Sequence, residues 1–85
     1  MTRIITMHTD PGHGWAEVPR QELFDLGIAD KITQYSYQKG DKVFIEEDCD
    51  LHTFCTALQQ RGVEYRFDEQ YKDYTPIRNY QRFAI

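Results

Sequence analysis

No run of apolar residues in this 85-residue chain exceeds three outside a few sparse β-branched stretches, so none is long enough for a membrane-crossing helix. Nothing in it has the zones of a secretory signal, and the expected setting is a reducing cytoplasm. Cysteine is scarce. Cys49 and Cys55 are six apart within one predicted helix, about 9 Å along its axis, which is too far for a disulfide. Neither belongs to a CxxC pair, the spacing of common zinc sites and thioredoxin-like redox sites. Positive charge is also short: 10 Lys and Arg stand against 14 Asp and Glu, a net charge of −4. A general grip on nucleic acid needs the reverse balance. A glycine-rich phosphate loop, a GxSxG elbow and an HExxH pair are all missing. So are repeats, linkers and low-complexity segments.

Aromatic residues are what the chain has instead, with six Tyr, five Phe and one Trp. A single domain spanning residues 1–85 buries only about 60–65% of its unfolded surface, and large rings help it close a core. Arg3 to Thr9 reads as a strand, and Asp10-Pro11-Gly12-His13 has Pro and Gly at the central positions of a type II turn. Trp15 to Val18 resumes as a strand, and Pro19 opens a short helix from Arg20 to Leu26. Thr33 to Tyr37 and Lys42 to Glu46 make a hairpin around Gln38-Lys39-Gly40-Asp41.

Leu51, Phe54, Cys55 and Leu58 then recur with the spacing of an amphipathic helix. Asp48 or Asp50 is its ready N-cap, and Gly62 ends it. Val63, Tyr65 and Phe67 alternate as a half-buried strand, and Asn79 to Ala84 forms a last, edge-like strand after Thr75-Pro76. The order β-β-α-β-β-α-β-β predicts an α+β fold: a small two-layer domain with a mostly antiparallel sheet and two helices on one face.

Two clusters carry chemistry. His8, Asp10 and His13 surround the Pro-Gly pair of HTDPGHGW. If Asp10 and His13 flank a two-residue turn they are cross-strand neighbours, and His8 faces Trp15. Two imidazoles and a carboxylate can hold a divalent metal, with His52 or another carboxylate added, or Asp10 can orient His13 as a general base. The simpler role is turn formation, with Asp10 accepting from the backbone beyond Pro11. The second cluster is Glu46-Glu47-Asp48-Cys49-Asp50, which the dipole of the following helix would favour and which could also face a basic partner. The same carboxylates oppose a thiolate at Cys49, and Cys55 belongs to the apolar stripe. Tyr71 and Tyr74 lie in QYKDYTP without apolar companions, a segment read as flexible and suited to protein contact. Arg78 and Arg82 alternate with aromatics, so they suit stacking on bases or pairing with the 46–50 acids.

With EVPRQELFDLGIADKI and the YSYQ-to-IEEDCD hairpin behind it, HTDPGHGW makes nearly the whole chain resemble a group of small proteins of phages, plasmids and other bacterial mobile elements. The resemblance implies a bacterial cytoplasm and a gene that moves between hosts. It brings no assigned activity, so it supplies no site residue. The expected function is a small acidic protein-interaction module without a cofactor, an inhibitor or modulator of a host defence complex of the anti-CRISPR or anti-restriction type. Its partner is a host protein or nucleoprotein complex with a basic surface. Glu46, Glu47, Asp48, Asp50, Tyr71 and Tyr74 are the expected contacts, with no direct nucleic-acid or membrane binding. The alternative is a metal-binding protein or small metal-dependent hydrolase that holds a divalent ion on His8, Asp10 and His13. A homodimer burying the open sheet face fits either reading.

Overall fold

In the computed structural model, which describes residues 2–85, alternation along each strand sorts side chains into two layers. Strand β1 (Arg3–Thr9) turns Ile5 and Met7 to one face, β2 (Gly14–Pro19) adds Ala16 and Val18, and β4 (Lys42–Glu46) adds Val43 and Ile45. Against this face pack Leu23 of α1 (Arg20–Asp25) and Phe54, Ala57 and Leu58 of α2 (Leu51–Gln60). The expected α+β class and helix-on-one-face layering are both present.

Six strands form one mixed sheet in the order β5-β1-β2-β4-β3-β6, where β3 is Tyr37–Lys39, β5 Tyr65–Tyr71 and β6 Gln81–Arg82. Four of the pairings are antiparallel, and β5 runs parallel to β1. Since β4 and β1 both run antiparallel to β2, α2 carries the chain from β4 over two strands to a parallel partner. Such a crossover needs a helix-length connection, and α2 supplies it. Gly62, at φ 71, lets the chain turn off the end of α2 while Val63 N–H bonds back to Leu58 O at 3.0 Å.

The opposite face is covered by the chain's own C-terminal segment. A 3-10 turn at Pro76–Asn79 sets Ile77 onto Trp15 and Phe44, with Tyr37 and Tyr80 at the margin. Residues Asn79 to Ala84 therefore do not form the expected strand; only Gln81 and Arg82 pair, with β3. Cover of this face within one chain also reduces the need for a dimer to bury it. The first expected hairpin strand also shifts: it starts only at Tyr37 and takes in Gln38 and Lys39, which were expected in the turn. Residues 33–36 form a turn, because the Asp50 carboxylate captures Thr33 N–H at 3.1 Å and Ser36 Oγ at 2.6 Å. That capture draws Asp50 away from its expected cap hydrogen bond on α2, although it holds the N-cap position. Cys49 lies before α2 rather than within it, and both cysteines are free. Among the described residues no helix is long and apolar enough to cross a membrane.

Ile77 is only 3% exposed in the second cluster. Ile77→Ala is expected to destabilise the protein by about 2–5 kcal/mol, the cost of a cavity in a packed core. Urea unfolding followed by the fluorescence of Trp15 measures it, and a loss below about 1 kcal/mol would show that the segment does not close on the sheet.

Candidate functional site

The turn of HTDPGHGW is built by its carboxylate. Asp10 Oδ1 accepts from the N–H groups of both Gly12 and His13 at 2.9 Å, and Asp10 N–H donates to His13 O at 2.9 Å. Gly12 does not take a positive φ, so the turn is not the type II expected. The Asp10 side chain captures the amides that such a turn would leave to the backbone. Asp10 and His13 do face each other across the hairpin, and His8 is register partner to Trp15.

The three expected metal ligands are nonetheless held by three different partners. His8 Nε2 meets Glu17 Oε1 at 2.8 Å, Asp10 pairs with the Arg78 guanidinium, and His13 turns toward Glu46 and Asp48. His52 lies exposed on α2 and takes no part. Burial pushes the Asp10 carboxyl up, but the amides of His13 and Gly12 and the charge of Arg78 outweigh it and hold it below the ordinary value.

His13, Glu46 and Asp48 line an open cleft of about 220 Å³ whose walls include Trp15, Tyr35 and Tyr37. Two arginines edge it. Arg78 lies over the Trp15 ring at 5.1 Å, while Arg82 lies over Tyr37 at 5.7 Å and donates to Gln34 O at 3.1 Å. Both cations are thus stacked and paired within the chain. Neither pairs with the 46–50 acids, and the ring faces they cover are not free for bases.

The acidic run divides between surface and interior. Glu47 and Asp48 are exposed, whereas Glu46 and Asp50 are 6% and 1% exposed. Glu46 Oε2 accepts from Asp48 N–H at 2.9 Å and Cys49 N–H at 2.8 Å, while Oε1 is buried without a well-formed hydrogen bond and faces His13 Nδ1 at 3.4 Å. Trp15 Nε1, in the same cleft wall, is also buried without a partner. Cys49 reaches the cleft, but interaction with the Glu46 carboxylate, partial burial and the nearby acidic charges raise its pKa. That disfavours a nucleophilic thiolate.

Tyr71 is not in a flexible segment: it ends β5, opposite Thr9 of β1. Its ring is 56% exposed and that of Tyr74 67% exposed. Thr9 pairs with Gly14, and Glu47 N–H bonds to Gly14 O at 3.0 Å. Tyr71, the HTDPGHGW turn and the acidic loop therefore share one end of the sheet. Burial of Glu46 had a trace in the sequence, since it alternates with Phe44 away from Val43 and Ile45. The 68-residue reach of Arg78 to Asp10 had none.

Asp50 and Glu47 should separate in a stability measurement. Asp50→Ala strands the Thr33 and Ser36 donors and is expected to cost about 2–3 kcal/mol in urea unfolding, while Glu47→Ala stays within about 0.5 kcal/mol. Equal effects would contradict the division. A carboxylate depressed in the folded state adds stability that is full above its unfolded pKa, near 4, and is lost as pH falls through the folded pKa. The urea midpoint of the wild type should therefore fall more steeply below about pH 4 than that of Asp10→Asn. Parallel curves would show that Asp10 gains nothing from its partners.

Comparison of the chain with known protein families, with curated proteins and with solved structures finds no match.

Proposed function

We propose that this protein is a small non-catalytic protein-binding module whose partner is a protein or nucleoprotein complex with a basic surface. The observation that carries the reading is the pair of tyrosines at the acidic end of the sheet. Tyr71 and Tyr74 extend their rings into solvent, yet each hydroxyl is tied down. Tyr71 OH donates to Asp73 Oδ1 at 3.1 Å, and Tyr74 OH accepts from Asn79 Nδ2 at 2.7 Å. Rings held in place before contact lose little conformational entropy on binding, which is the character of an interface anchor. Exposed Glu69 and Asp73 flank them with Lys72 between, and Glu47 and Asp48 stand across the same end of the sheet. Two of the four acids expected as contacts, Glu46 and Asp50, are interior and serve the fold.

Resemblance to mobile-element proteins supports a host defence complex as the partner, since the nucleic-acid channel of such a nuclease is basic. An acidic protein with anchored rings would be steered to that channel and would compete with nucleic acid there. The test is capture from a bacterial lysate by the immobilised protein, followed by titration of the purified partner at rising salt. Tyr71→Ala/Tyr74→Ala and Glu47→Lys/Glu69→Lys are each expected to weaken binding about tenfold or more, with affinity falling as salt rises. Capture unchanged in both variants, or no partner enriched over a control protein, would overturn the reading.

A further inference from the structure

We infer that His13, Glu46 and Asp48 form a divalent-cation site, suited to zinc or manganese, at the floor and lip of the cleft. The inference is independent of the partner reading. One ligand atom from each residue lies within 4.8 Å of the others. His13 Nδ1 is 3.4 Å from Glu46 Oε1 and 3.8 Å from Asp48 Oδ2. Ligands about 2.1 Å from a tetrahedral metal stand about 3.4 Å apart, so the two His13 separations lie near that spacing. The exposed Asp48 side chain can swing to bring its carboxylate, within 4.8 Å of the others, onto the same ion.

The stronger argument is the state of Glu46. Its side chain is 8% exposed, and Oε1 is buried, makes no well-formed hydrogen bond and faces His13 Nδ1 at 3.4 Å. A carboxylate oxygen in that position has lost its water and keeps only His13 and the nearby Cys49 thiol. The imidazole is charged only when protonated, so a full cation would answer the oxygen better. Among the described residues no lysine or arginine lies within ion-pair distance of it. Arg78 is committed to Asp10 and Arg82 to Gln34 O. The other oxygen is already fixed by the amides of Asp48 and Cys49, the kind of outer hydrogen bonding that orients a metal-binding carboxylate. His13 is steadied by the Trp15 ring, 5.9 Å between centroids.

The donor set names the class of ion. One imidazole and two carboxylates suit zinc or manganese, whereas calcium asks for six to eight oxygens. His13 and Asp48 have side chains 46% and 70% exposed, so the remaining coordination positions open to the cleft and to water. Strand register makes the site. Trp15 of β2 pairs with Glu46 of β4, and this brings the turn before β2 beside the loop after β4.

The deciding experiment is calorimetric titration of metal-stripped protein with zinc chloride, manganese chloride and calcium chloride. Expected is one zinc or manganese ion per chain, with calcium weaker. His13→Ala, Glu46→Gln and Asp48→Asn should each weaken zinc at least about tenfold. His8→Ala and Cys49→Ser should keep wild-type affinity, which separates this site from the other histidine and from simple thiol capture. Asp48 is on the surface, so Asp48→Asn remains a folded test even if Glu46→Gln is unstable, and a thermal melt of each variant confirms it. Silence with zinc and manganese overturns the site. So does zinc binding that survives Asp48→Asn and His13→Ala, or that disappears with His8→Ala or Cys49→Ser. None of these substitutions touches Tyr71, Tyr74, Glu47 or Glu69, so failure of the metal site and failure of the partner reading are distinguishable.

Discussion

A guanidinium from residue 78 closes on a carboxylate at residue 10, and the second layer of the protein depends on that pair. Asp10 has a side chain only 1% exposed, and its own turn aims it inward by taking the amides of Gly12 and His13. A buried carboxylate needs a cation or several donors, and Arg78 completes the set. To reach it, the C-terminal segment must lie across the helix-free face, with the guanidinium over Trp15 and Ile77 seated between Trp15 and Phe44. The pair therefore matters for position more than for net energy. It specifies where the Pro76–Tyr80 segment goes, and the apolar contacts beneath it supply the stabilisation.

The same constraint shapes the cleft. Arg78 is drawn to Asp10, and Arg82 is stacked on Tyr37 and tied to Gln34 O. Glu46 turns one buried oxygen toward His13 while its twin holds the loop that follows β4. Three acids within five residues of one another thus have different roles: Glu46 organises a loop, Asp50 binds the 33–36 turn to the start of α2, and Glu47 remains in solvent. Residue type was shared; the backbone direction at each position was not.

Legibility followed the range of the interaction. The apolar stripe of α2, the alternation of β1, β2 and β4, and Gly62 at the end of α2 are local patterns, and these elements form where the patterns place them. Thr33 to Ser36 has the composition of a strand and becomes a turn, because Asp50 offers its donors better partners than a neighbouring strand does. Asn79 to Ala84 loses most of its strand for a similar reason, with Tyr80 drawn to the cover over Trp15 and Phe44 and Phe83 into the core on the helix side. In the site, the sequence singled out His13, Glu46 and Asp48 but in two separate groups. It joined His13 to His8 and Asp10, which lie closest along the chain, and those two residues have other partners.

By itself, then, the sequence determined the class of fold, the number of helices, the main hairpins and the stock of titratable groups, because periodicity and turn chemistry act over a few residues. Only the tertiary structure decided that β5 would run parallel to β1, that the C-terminal segment would cover the second face, and that His13 would meet Glu46 and Asp48. Each of those outcomes depends on strand register and on the burial of a charge. Both are settled when distant segments pack, and neither leaves a spacing that can be read along the chain.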